Sequence, residues 1–330
     1  MKKISSCLAA SVMTALAVSA GTARAAALPK VHRNAISGAQ RSAVPQATAN
    51  ADGIGINLDV VGRIPGATLF RTAVDIANNT NTAVEVDVFL DASGLDSEKS
   101  FSITENGIVP VGTGLMPDHF VFHSDDLIDD MRAAGLISQT QENGTILGSL
   151  FVIFDNPTGT DLFTQFGQGS VQARFYSSNF GGTIGVSANG HELTTTEPVS
   201  IVGIARDTIG EPNTPQVTTN FFINNEGYAL QDGTLIHNPV TVKMSGFSNA
   251  TGLPLPHTFT FPIAEFQTAV IGNVYSTLGA NRATDGDSII VFFDIVTGDS
   301  AISGLSSTND AGTKDPSAAQ LRPADWTVGR

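Results

Sequence analysis

From residue 53 onward, short apolar runs alternate with clusters of Gly, Asn, Thr and Asp, the rhythm of strands and turns. Phe70, Thr72, Val74 and Ile76 share one parity, and Val84, Val86, Val88 and Leu90 follow at period two. Between them lies Asn78-Asn79-Thr80-Asn81-Thr82, where Asn tolerates positive φ. This pattern predicts a hairpin over Leu69–Leu90. Further strands are predicted at Gly148–Asp155, Gly169–Ser177 and Thr183–Ser187, the last two parted by Gly181-Gly182. In the second half, strands are predicted at Val217–Ile223, Val240–Met244 and Phe259–Phe261, with a turn at Asn224-Asn225-Glu226-Gly227. Ile289–Phe293, inside Gly286–Asp294, is a continuous apolar run suited to a buried strand.

Two segments carry helical signals. Ser124 is a candidate N-cap before Asp125–Met131, and Gly135 is a stop. Ile263–Leu278 places Phe266, Val270 and Val274 at helical spacing and stops at Gly279. Each predicted helix precedes a Gly-opened apolar strand that ends in Asp155 or Asp294. The same order of parts twice predicts an internal duplication with a boundary near Glu197-Pro198. The expected architecture is all-β: two tandem immunoglobulin-like β-sandwich domains over 53–197 and 198–330, each with one short helix, the second carrying the C-terminal tail. A single larger sandwich with jelly-roll wiring is the alternative.

The motifs also resemble those of uncharacterised secreted bacterial proteins built from paired immunoglobulin-like modules. The similarity rests on Arg71-Thr72-Ala73-Val74-Asp75-Ile76-Ala77-Asn78, on Ala173-Arg174-Phe175-Tyr176 followed by Gly182-Thr183-Ile184-Gly185, and on Asn309–Ser317. It covers about residues 55 to 320. The first motif has Ile where the class has Leu, and the last reverses an Asn-Asp order. The resemblance implies a fold and an exported location, and no reaction.

The ends change the picture of where the chain works. Lys2 and Lys3, the apolar Ile4–Ala20 and Ala23-Arg24-Ala25 read as a signal peptide over 1–25, cleaved before Ala26. Residues 26–52, rich in Ala, Ser, Asn and Gln without periodicity, read as a flexible linker. No later segment is long and apolar enough for a transmembrane span. The expected location is secreted, periplasmic or cell envelope. Cys7, the one cysteine, lies in the leader and before the apolar stretch, so neither a disulfide nor a lipid anchor is expected. Of 17 Lys and Arg, three leave with the leader and all 31 Asp and Glu remain, giving the mature chain a net charge of −17. Such an acidic surface repels phosphate backbones, so nucleic acid is not an expected partner.

Candidate chemistry is sparse. His119 and His123 flank Phe120-Val121-Phe122, and on a strand residues four apart lie about 13 Å apart, too far to share a metal. His32, His191, His237 and His257 stand beside turn residues with no ligand partner in local sequence. Asp125, Asp126, Asp129 and Asp130 crowd one predicted helix, as dipole partners at its N-terminus or as a cation site that lacks the tight Gly turn of a calcium loop. Asp285, Asp287, Asp294 and Asp299 approach a calcium loop in composition without its ligand register, and hairpin turns explain them equally. Gly-x-Ser-x-Gly, Ser-x-x-Lys, His-Glu-x-x-His and phosphate-loop motifs are absent, and Trp326 is the one Trp for sugar stacking. The sequence therefore assigns no catalytic, cofactor or metal residue and expects no cofactor. It points to an exported, non-enzymatic protein acting on a protein or glycan surface. A hydrolase with distant acidic residues and a calcium-stabilised carbohydrate-binding module are the alternatives.

Overall fold

The structure, a computed structural model, describes residues 53–66, 69–155, 169–177, 184–192, 200–209, 213, 216–229, 235–310 and 316–324. The leader, the linker, Gly181-Gly182, the boundary at Glu197-Pro198 and Trp326 lie outside the described residues. The chain is mostly strand in several antiparallel sheets, as the alternation predicts. No described helix is long and apolar enough to cross a membrane.

The first ten strands form one sheet: β1 (Gly53–Ile64), β2 (Phe70–Asn78), β3 (Glu85–Ser93), β4 (Lys99–Thr104), β5 (Gly107–Val109), β6 (Val121–Ser124), β7 (Ile146–Asp155), β8 (Gly169–Ser177), β9 (Ile184–Asn189) and β10 (His191–Glu192). Its order is β5-β4-β3-β7-β1-β2-β8-β9, with β6 on β2 and β10 on β1. Continuity from β1 to β2 runs through Arg63↔Arg71 and Ile64↔Phe70. A register shift between Leu58 and Val61 marks an irregularity that bends β1 near this corner. The sheet folds over there, and its two layers share one core: Leu58, Val88, Leu90, Leu150 and Val152 from one, Val74, Ile76, Phe122 and Val171 from the other.

The predicted Leu69–Leu90 hairpin does not form. β2 pairs with β1, β6 and β8, whereas β3 pairs with β4 and β7. The two alternating faces meet across the core instead of sharing hydrogen bonds, so Val74, Ile76, Val86 and Val88 are all buried. The Asn-rich stretch is a crossing stapled by side chains. Asn78 Nδ2 donates to the carbonyls of Thr82 and Pro117, both at 2.8 Å.

The second half contains β11 (Ser200–Arg206), β12 (Val217–Asn225), β13 (Tyr228–Ala229), β14 (Leu235–Ile236), β15 (Val240–Ser248), β16 (Phe259–Ile263), β17 (Thr268–Ile271), β18 (Ser288–Thr297), β19 (Ile302–Asp310), β20 (Pro316–Gln320) and β21 (Arg322–Pro323). Two sheets, β16-β15-β18-β11-β21 and β17-β12-β19-β20, sandwich Phe221, Ile223, Val242, Met244, Val291 and Phe293, and β13 pairs with β14 apart from them.

Four short helices occur among the described residues: α1 (Leu127–Ala133), α2 (Gln139–Glu142), α3 (Val274–Leu278) and α4 (Arg282–Asp285). Each half therefore has two, where the sequence predicts one. The first starts at an Asp126 cap instead of Ser124, which closes β6. The predicted helix over Ile263–Leu278 survives only as α3, and Thr268–Ile271 is strand β17. A spacing of four fits both periods, because residues four apart share a strand face as well as a helix stripe. Pairing of Thr268, Ala269, Val270 and Ile271 with β12 decides for strand.

Strand orders in the two halves match position for position. β4-β3-β7-β1-β10 corresponds to β16-β15-β18-β11-β21, and β6-β2-β8-β9 to β17-β12-β19-β20. The helices fall between β6 and β7, and between β17 and β18. Matching residues play matching parts. Thr72 exchanges hydrogen bonds with the Gly62 backbone, as Thr219 does with Arg206. Asn225, the counterpart of Asn78, donates to the Asn238 and Ala264 carbonyls. His119 and Phe266, each two residues before its strand, both have positive φ.

Candidate functional site

The halves meet along a buried seam. Val60, Ile64, Leu147 and Phe175 of the first pack on Phe222 and Leu305 of the second. Thr268 Oγ1 donates to the Asp59 carbonyl at 2.7 Å, the Ser303 hydroxyl to the Asp59 carboxylate, and Asn57 Nδ2 to Glu226 Oε2 at 3.4 Å. Phe266, held at φ 56°, inserts from the second half, and its carbonyl accepts the Ser149 hydroxyl.

Ionisable groups converge beside that insertion. Asp91 on β3 and Glu98 just before β4 are buried. Glu265 and His237 come from the other half, with His237 Nδ1 3.4 Å from Glu265 Oε2 and its ring 4.5 Å from that of Phe266, the two tilted by 32°. Burial, with the Glu265 charge adding, lifts the Asp91 carboxyl to about 6. Burial, with the Asp91 charge adding, lifts Glu98 to about 7. Raised carboxylates in a recess are the signature of an acid catalyst. Here the recess, lined by Phe89, Asp91, Glu98, Ser149, Phe151 and Phe266, measures about 10 Å³, the space of one water and not of a sugar. A second cavity of the same size, lined by Val60, Phe175, Phe222 and Leu305, is apolar. The Glu265 charge that adds to the rise at Asp91 comes from the other half, so the cluster bridges the seam. Sequence reasoning missed the cluster because its members lie on four separate segments.

The acidic residues singled out from the sequence are bound to the protein itself. Asp126 caps α1 and pairs with Arg63, Asp129 pairs with Arg132 at 2.7 Å, and Asp130 accepts the Ser124 hydroxyl at 2.5 Å. Asp125 is exposed, 3.3 Å from His123 Nε2. Asp285 accepts the Asn281 backbone at 2.7 Å, Asp294 the Ser200 hydroxyl at 2.5 Å, and Asp299 the Tyr228 hydroxyl at 2.9 Å. Asp287 lies 3.7 Å from Arg206. Among the described residues no group of three His, Cys, Asp or Glu converges on a metal position. His123 sits exposed on β6, its Nδ1 2.6 Å from Asp75. That hydrogen bond raises its pKa. His119 is exposed on the loop before β6, so the pair shares no face.

The outer face of the β16-β15-β18-β11-β21 sheet is the other candidate. Alternation on β18 buries Ile289, Val291 and Phe293 and turns Ile290 and Phe292 outward. The run read as buried is thus buried on one side only. Registers place Ile204, Ile290 and Phe247 in one row and Val202, Phe292 and Ser245 in the next. Phe247 and Phe292 meet edge to face at 5.6 Å. Ile204 is 61% exposed. No family model matches the chain, and neither curated proteins nor solved structures give a match.

Proposed function

We propose that this is an exported protein of two tandem immunoglobulin-like modules that acts by surface contact, in adhesion, structure or partner binding. The observation that carries the reading is the apolar outer row of Ile204, Ile290 and Phe247, with Ile204 exposed and the other two half-buried. A strand face of this composition loses free energy to water and regains it when covered. Matching strand orders favour two modules from one duplicated unit. Two neighbour relations of the immunoglobulin sandwich, B with E and C with F, have counterparts in β2–β6 and β3–β7, and in β12–β17 and β15–β18. The Lys2-Lys3 leader and the acidic mature chain fit work outside the cytoplasm.

Cell fractionation tests the reading. The full chain is expected outside the cytoplasm and retained on the cell envelope through low-salt washing, whereas Ile204→Asp is expected in the medium. A chain that stays cytoplasmic, or a variant retained as well as the parent, refutes it.

A further inference from the structure

We infer that the outer face of the β16-β15-β18-β11-β21 sheet is a self-docking surface that joins two copies of this chain face to face; this rests on the surface-contact reading and names its partner. The first support is an internal precedent. Registers superpose the two halves row on row: Gly53–Asp155–Glu85 corresponds to Ser200–Asp294–Lys243, and Asn57–Phe151–Phe89 to Ile204–Ile290–Phe247. In the first half this row is sealed. Asn57 is 1% exposed, Phe89 4% and Phe151 6%, and Phe266 of the second half shares the recess lined by Phe89 and Phe151. The equivalent row of the second half is open, with Ile204 exposed and Phe247 and Ile290 half-buried.

The second support decides the occupant. Repeating the internal contact between copies would lay this face on the β6-β2-β8-β9 layer of a neighbour. That layer does not match. Where the seam uses Phe222, Leu305 and Val270, the equivalent positions on β2, β8 and β6 are Asp75, Gln172 and His123, all exposed. Burying a carboxylate against Ile and Phe is costly, so an open head-to-tail chain is blocked. The apolar face is complementary to itself. Two identical twisted sheets stack in an aligned packing, and a two-fold contact closes after one copy. An axis running across the strands lays the Val202–Phe292–Ser245 row over the partner's Ile204–Ile290–Phe247 row. It also sets the Asp294 row over the Arg206 row, where an axis along the strands would place Asp294 on Asp294.

Light scattering after gel filtration, over a concentration series of the full chain, reads the outcome. A mass twice that of the chain is expected, and Ile204→Asp is expected to raise the dissociation constant about a hundredfold. Because Ile204 is exposed, that variant should keep the parent's circular dichroism. As a second measurement, Ile204→Cys in a Cys7→Ser background should cross-link to dimer with a short bismaleimide, while Asp75→Cys in the same background should not. A monomer at all concentrations, an Ile204→Asp dimer of unchanged affinity, or a concentration-dependent ladder of larger species overturns the inference. A monomer whose Ile204→Asp variant still loses envelope retention removes the self-docking inference and spares the surface-contact reading. A dimer lost in that variant with retention intact does the reverse.

Discussion

Asp91 and Glu98 show how a residue's meaning depends on what folds over it. The sequence singles out neither, and each is buried where Glu265 and His237 arrive from the other half. Their carboxyls are lifted to about 6 and about 7, against 3.8 and 4.5 for the free groups. A raised acid binds more protons folded than unfolded, so its contribution is greatest below the unfolded value and is lost as pH rises through the folded one. The window here runs from about pH 4 to about pH 7, and a shift of this size is worth about 3 kcal/mol per group, shared because the two are neighbours. Removing both charges as Asp91→Asn with Glu98→Gln should remove this dependence. In urea unfolding, the double variant should gain roughly 3 to 6 kcal/mol on the parent between pH 4.5 and pH 8. Parallel stability curves for the two proteins would show that the cluster does not feel the seam.

At the scale of elements, the existence of strands was readable and their partners were not. Gly169–Ser177 is a strand over the predicted bounds, because period-two burial is written locally. The hairpin over Leu69–Leu90 failed because an apolar face says that it will be buried and not whether a strand beside it or a layer opposite will do the burying. Arg63 makes the same point in charge. It is the penultimate residue of β1, yet it pairs with Asp126 at the cap of α1 and with Glu142 of α2 at 3.3 Å, while Arg132 of α1 reaches Glu142 at 2.6 Å. Nothing local relates Arg63 to an acidic run some sixty residues on. Burial raises the Asp126 carboxyl, and the Arg63 charge opposes that rise. Arg63→Met keeps the length of the side chain and strands the Asp126 carboxylate, at a cost of about 3 kcal/mol. The loss should appear as a lower denaturation midpoint, with amide exchange faster over Leu127–Met131 than over β7. Uniform exchange in both segments would mean that Arg63 does not hold the helix to the sheet.

For the molecule as a whole, a helix signal followed by an Asp-ended apolar strand was legible twice along the sequence. Which faces close was not, because that turns on single positions: Phe222 against Asp75 and Leu305 against Gln172 at equivalent sites on two otherwise matching layers. Those substitutions make the contact between halves one-sided and fix its order along the chain. They also make the seam a term in stability. Phe222 and Leu305 are buried among Val60, Ile64, Leu147 and Phe175, and hydrophobic burial of two such side chains contributes about 3 to 6 kcal/mol. Each half has its own core, built from separate residue sets, so coupling between them depends on the seam. Placing the first half's polar residues in the second, as Phe222→Asp with Leu305→Gln, should leave both cores intact and uncouple them. Calorimetry of the parent is expected to show one transition, and of the double variant two transitions of lower temperature. A single transition retained in the variant would mean that the halves share a core in a way the seam residues do not carry, and the reading of two modules would fall with it.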